Sequence, residues 1–339
     1  MRRTAGFRLR DTWKPALFAA CGLVLGMLAG TSASAETIKL LSSWSESDRP
    51  TYINALLFKQ NVEAIGGDKI KIEISGPEVV PPFQQLQPVS AGVFDVLYTH
   101  GAYHAGSKGL VMGADAIAID VAKRREAGVW RYIDEFYQKN HRVKLLALAT
   151  QGTHGYHCYV RQPLTANSDW KGRKIRGTVS YHGIIRMLGG EPVVLPGGEV
   201  YAALERGVVD GACWPAAGML AMKHYEVAKH RVEPTFGSVN TLFAINLNRW
   251  QRLSPELQKI LLDAGAKTEM DSQKVGDEIL AQERTELAKL GVKVEKLPAE
   301  KGTLVRETWQ KSQWELAEKC CGTAGAELRA LARKADLTK

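Results

Sequence analysis

Residues 254–291, SPELQKILLDAGAKTEMDSQKVGDEILAQERTELAKLG, set the first limit on the fold. Ser254 is placed to cap a helix, Pro255 suits its first position, Glu256 its first turn, and Gly291 the residue after its end. A helix through most of this run is about 50 Å long. Few single domains offer so much surface to bury one face of it, so the helix is expected to pack along more than one lobe. Gly265 and Gly276 read as its weak points, and the apolar positions hold no heptad register, which argues against a coiled coil.

The rest of the chain supplies the lobes. TIKLLSSW reads as a buried strand, TYINALLFKQNVEAIGG as a helix stopped by paired glycines, KIKIEIS as an alternating strand, and FDVLYTH as another strand after a short helix. Farther on, VKLLALATQ and GYHCYV read as strands. SYHGIIRML then reads as a helix, EPVVL as a strand, GGEVYAALERG as a helix, and VVDGACW as a strand. Strand and helix alternate, so the fold class is α/β, with largely parallel sheets covered by helices. No internal repeat or low-complexity tract interrupts the pattern.

The chain opens on a different kind of segment. Arg2, Arg3, Arg8, Arg10 and Lys14 precede the short apolar run ALFAACGLVLGMLAG, and Ala33-Ser34-Ala35 forms a small-residue cleavage site. This is the plan of an export signal, so the mature protein is expected in the periplasm. The leader holds five of the 45 Lys and Arg residues and one of the 36 Asp and Glu residues. The remainder therefore carries 40 basic and 35 acidic residues, a net charge of +5. That modest, interspersed excess argues against nucleic-acid binding. About 300 residues remain, more than one core usually spans. The expected divisions are 1–35 for the signal peptide, 36–155 mainly for lobe 1, and 156–248 mainly for lobe 2. The spanning helix takes 249–291, and 292–339 return a strand and a helix to the lobes.

Catalytic signatures are missing: there is no GxSxG elbow, P-loop, HExxH or strand-borne GxGxxG. His100 and His104, and His154 and His157, have spacings that hold a metal on a helix, but both pairs stand in glycine-containing segments, without an acidic or thiolate ligand at tight metal-binding spacing. They read as cleft-lining or structural histidines, and no metal or cofactor is expected. An enzyme built on this histidine cluster is the rival reading. Cys158 and Cys213 read as small buried apolar residues, with pairing in an oxidising compartment as the alternative. His100, Tyr103, His104, His154, Tyr156 and His157 all follow strand C-termini, where open α/β sheets bind ligands.

The stretch DWKGRKIRGTVSYHGIIRMLGGEPVVLPGGEVYAALERGVVDGACWP resembles the central signature of substrate-binding proteins of tripartite ATP-independent periplasmic (TRAP) transporters, the C4-dicarboxylate-binding type. Its D-L-K-G-x-K-I-R segment matches residues 169–176, with Trp170 for the usual leucine, and its E-V-Y-x-A-L-x-x-G-x-V-D-G segment matches 199–211. VSAGVFDV, HYEVAKH and NRWQRLSPELQKIL extend the likeness over the mature chain. The resemblance implies a two-lobed periplasmic binding protein with the ligand cleft between the lobes and the long helix spanning both. It implies a receptor, not an enzyme, working as a monomer with the small and large permease subunits of a sodium-driven transporter.

The arginine of the K-I-R segment, here Arg176, is implied to pair with the ligand carboxylate. His157 stands where many members carry a second arginine, and Trp214 stands in the segment that reads D-G-Q-E-N-P in the family and DGACWP here. One arginine with added aromatics favours an aromatic or bulky monocarboxylate, walled by Trp44, Phe83, Tyr103, Tyr156, Tyr181, His182 and His100. A small 2-oxo or 2-hydroxy acid is the alternative, as is a dicarboxylate whose second carboxylate meets His157. A ligand sensor serving a membrane kinase would use the same cleft.

Overall fold

The computed structural model describes residues 35–339, and the export-signal expectation falls outside them. Two sheets organise the chain. The first has the order β2 (Ile70–Ser75), β1 (Glu36–Ser42), β3 (Val96–His100), β10 (Thr241–Asn246), β4 (Val143–Ala149). β1 runs parallel to β2 and β3, while β10 is antiparallel to both of its neighbours. The second has the order β11 (Lys293–Lys296), β9 (His230–Phe236), β5 (Tyr156–Val160), β8 (Gly211–Pro215), β6 (Lys174–Arg176), β7 (Glu191–Val193). β5 is antiparallel to β8 and β9, and β6 is parallel to β7 and β8.

Each sheet packs cores on both faces, which is why central strands such as β3 and β10 read as nearly continuous apolar runs while edge strands such as β2 and β11 do not. In lobe 1, Ile38 and Leu40 join a core with Phe58, Phe243 and Leu261, while the intervening face sends Leu41 to a core with Leu145, Tyr137 and Trp314. In lobe 2, Cys158, Ile175 and Trp309 fill one core, and Tyr159, Leu204 and Trp214 the other. Cys158 and Cys213 face each other across the β5–β8 pair and are joined as a disulfide. Their direct cross-strand register brings together two thiols that the sequence reads first as separate apolar residues.

The boundary expected at residue 248 differs from the chain's path: β10 leaves lobe 2 and completes the first sheet. The reason is topological, since an apolar run such as TLFAIN suits the interior of either sheet.

The helix Pro255–Lys289 starts with Ser254, whose hydroxyl accepts from the Leu257 amide, and has proline in its first turn. Two buried carboxylates fasten it. Glu269 accepts from the Leu148 amide at 2.7 Å and from the Trp130 indole at 2.9 Å, and pairs with Arg125. Fourteen residues later, about 21 Å along the axis, Glu283 accepts from the Gly218 amide of lobe 2 at 2.8 Å. The helix therefore grips both lobes. Gly265 and Gly276 are contact points: a Cβ on Gly265 would stand 2.2 Å from the Leu146 carbonyl, and one on Gly276 2.1 Å from the Gly152 amide nitrogen. The helix Ala299–Cys321 bridges as well, with Trp314 in a lobe 1 core and Trp309 in a lobe 2 core. No described helix is long and apolar enough to cross a membrane.

Candidate functional site

Arg176 ends the three-residue strand β6 and is 1% exposed. Its Nε and Nη2 donate to the Leu195 carbonyl at 3.1 and 2.8 Å, and its Nη1 donates to the Cys213 carbonyl at 3.2 Å. A guanidinium has five N–H donors, so one remains on each Nη, the pair that grips a carboxylate in two parallel bonds. The guanidinium stacks on the Trp214 ring, 4.7 Å from its centre. Among the described residues no carboxylate pairs with it. A buried cation without a carboxylate partner is costly, and here the Leu195 and Cys213 carbonyls and the Trp214 ring are what the protein sets against its charge.

Around Arg176 lies a cavity of about 30 Å³ between the lobes. Lobe 1 contributes Trp44, His100, Tyr103 and Thr241, and lobe 2 contributes Tyr156, Thr178, Tyr181 and Trp214. The rings support one another: Trp44 and Tyr103 have centroids 5.5 Å apart, and Tyr156 meets Tyr181 edge-on at 5.3 Å.

Asp115, behind the lining, ties the two sides together through His100 and Tyr156. Its Oδ2 accepts from the Tyr156 hydroxyl at 2.7 Å and pairs with His100 Nε2 at 2.9 Å, while its Oδ1 accepts from the Asn240 amide at 3.1 Å. His100 and Tyr156 thus meet the cavity with their polar atoms already oriented.

Three expected residues stand elsewhere. His157 is opposite Trp214 in the β5–β8 ladder, but the larger indole takes the cavity side. His157 packs edge-on to Tyr159, and burial together with the Arg231 and Arg284 charges holds it neutral, far below the usual histidine range. Phe83 supports the wall from behind, edge-on to Tyr103 at 5.0 Å, and faces a separate outer groove. His182 opens the short helix His182–Met187 outside the cavity. His104, the other member of the first histidine pair, bonds the Tyr137 hydroxyl at 2.7 Å inside lobe 1, and burial pushes its pKa down to about 3.

Polar residues absent from the expected set complete the lining: Gln151, Thr178, Ser180 and Thr241. Both amide atoms of Gln151 and the Ser180 hydroxyl are buried without a partner in the protein. Position was the available signal, since Gln151 ends the run VKLLALATQ and Thr178 and Ser180 directly follow Arg176.

This two-lobed architecture recurs in known proteins. Residues 41–319 match the family described as bacterial extracellular solute-binding protein, family 7. The chain belongs to that family. A TRAP periplasmic solute-binding protein from Desulfovibrio salexigens, solved with bound orotic acid, superposes with a TM-score of 0.77 at 21% identity, covering 88% of this chain and 98% of that one. A Bordetella pertussis extracytoplasmic solute receptor binding pyroglutamic acid superposes at 0.76 with 19% identity, covering 88% and 100%. In sequence, a monocarboxylate 2-oxoacid-binding periplasmic protein of Nostoc sp. is 25% identical over 272 residues, 76% of this chain and 72% of the relative.

Members of the family are periplasmic receptors that bind organic acids and work with membrane permease subunits; they are not enzymes. The histidine-cluster enzyme is thereby set aside.

Proposed function

We propose that this receptor captures a small 2-oxo or 2-hydroxy monocarboxylate and delivers it, as a monomer, to a sodium-driven TRAP transporter with one small and one large membrane subunit. The observation that carries the reading is the buried Arg176 guanidinium with an open donor on each Nη and no carboxylate partner. One guanidinium and no second Lys or Arg in the lining suit a single carboxylate. Gln151, Thr178 and Ser180 supply neutral hydrogen-bonding groups for a second oxygen on the neighbouring carbon.

The preference for an aromatic or bulky body passes to the smaller class because the rings occupy the cleft themselves. Trp44, Tyr103, Tyr156, Tyr181 and Trp214 all crowd the space beside Arg176. A dicarboxylate loses its second anchor, since His157 lies outside the cavity. The 2-oxoacid-binding Nostoc relative supports the same class.

The test is a thermal-shift screen of residues 36–339 against aromatic, 2-oxo, 2-hydroxy, dicarboxylic and sugar acids. A ligand at 100 times its Kd adds about 2.7 kcal/mol, a shift of several degrees. Pyruvate, lactate and their near homologues are expected to give the shift, and Arg176→Ala to abolish it. Shifts confined to bulky aromatic acids would overturn the size argument.

A further inference from the structure

We propose that Asp48 is a latch across the cleft: closure carries its carboxyl out of water to face the Trp214 indole N–H, and the closed form holds it as the neutral acid, so that ligand capture takes up a proton. This rests on the reading of the cleft as a carboxylate site that closes over its ligand.

Asp48 stands in lobe 1, between β1 and the helix Arg49–Gly66 that begins at the next residue. It is 2% exposed, and its carboxyl makes no well-formed hydrogen bond, Thr51 in the first turn of that helix being the donor beside it. Trp214 Nε1, on β8 of lobe 2, is buried and unpartnered. The two atoms converge on one point, the space beside Gly218. A Cβ built there would lie 2.7 Å from Trp214 Nε1 and 3.4 Å from Asp48 Oδ1. Gly218, at φ +127°, is also a position that side chains rarely adopt. An acceptor from one lobe and an unpartnered donor from the other therefore border a space that a glycine keeps clear. The donor belongs to the ring that stacks on Arg176, so the latch bears on the ligand site without lining it.

Groups from every side act on Asp48. Its own lobe brings Thr51, Tyr98 and Tyr103, lobe 2 brings Arg176 and Tyr159, and the long helix brings Glu283. His224 packs edge-on to Trp214 and is held neutral, its pKa pushed down to about 3 by burial and then by Arg176. Burial pushes the Asp48 pKa up to about 7, Glu283 acts in the same direction, and Thr51 and Arg176 oppose. Opening the cleft returns the carboxyl to water and toward its ordinary value of 3.8. The closed form thus has the raised pKa. Its advantage is complete at low pH, shrinks about tenfold per unit above the open-state value, and levels off beyond about pH 7.

The experiment is calorimetric titration with pyruvate between about pH 5 and about pH 8, on the wild type, Asp48→Asn and Arg176→Ala. Pyruvate stays ionised over this range. The wild type is expected to bind about fiftyfold more tightly near pH 5 than near pH 7. Asp48→Asn, neutral at every pH, is expected to bind with affinity constant within about threefold. Titration of the wild type near pH 6 in buffers of different ionisation enthalpy is expected to show about one proton taken up per ligand, a result independent of any variant's folding. Pyruvate binding with no pH dependence, with no proton uptake, or with the slope retained in Asp48→Asn would overturn the latch and leave the carboxylate site standing. No pyruvate binding at any pH would remove the small-carboxylate reading and the latch with it.

Discussion

At the residue scale the site depends on what Arg176 has left to give. Three of its donors are spent on the Leu195 and Cys213 carbonyls, and these bonds fix the plane of the guanidinium while leaving a forked pair toward the cavity. A lysine keeps the charge but loses the fork and its stacking on Trp214. Arg176→Lys is therefore expected to weaken pyruvate binding by about 2 kcal/mol, roughly thirtyfold in Kd, with thermal unfolding as the check that the fold survives. Affinity within threefold of wild type would show that a point charge suffices. Arg176 and Trp214 were legible because they sit inside a long specific motif. His157 was not, because adjacency to a functional strand does not say which of two cross-strand partners reaches the cavity. Gln151 and Ser180 have neutral polar side chains that look the same in a loop as in a binding site.

The long helix shows what the sequence signals at the scale of elements. Ser254 and Pro255 marked its start through local chemistry, which acts within one turn and is readable without the fold. Gly265 and Gly276 read as weak points by propensity, whereas in the fold they let the helix approach the Leu146 carbonyl and the Gly152 backbone. Tertiary contact outweighs a propensity difference of about 1 kcal/mol. Gly276→Ala is expected to destabilise the protein by about 1–3 kcal/mol and to lower Tm by several degrees in thermal unfolding. An unchanged or raised Tm would mean that propensity governs there after all. The return of β10 to lobe 1 was hidden because a buried apolar strand carries no label for its sheet, and the Cys158–Cys213 bond because it depends on register.

For the whole molecule, chain length and helix length together pointed to two lobes, and the structure gives the physical form of that inference: Glu269 fastens the helix to lobe 1 and Glu283 fastens it to lobe 2. Between them the lobes bury one guanidinium, a ring of aromatics and a few neutral polar groups around a small space. Ligand size was beyond reach of the sequence because it depends on how far the lobes close, a property of the assembled molecule. The most direct test of the account is a crystal structure of residues 36–339 grown with pyruvate. The account predicts one pyruvate between the lobes, its carboxylate on Nη1 and Nη2 of Arg176 and its 2-oxo oxygen toward Gln151 or Ser180. A carboxylate held by any other group, with Arg176 bonded only to Leu195 and Cys213, would contradict it.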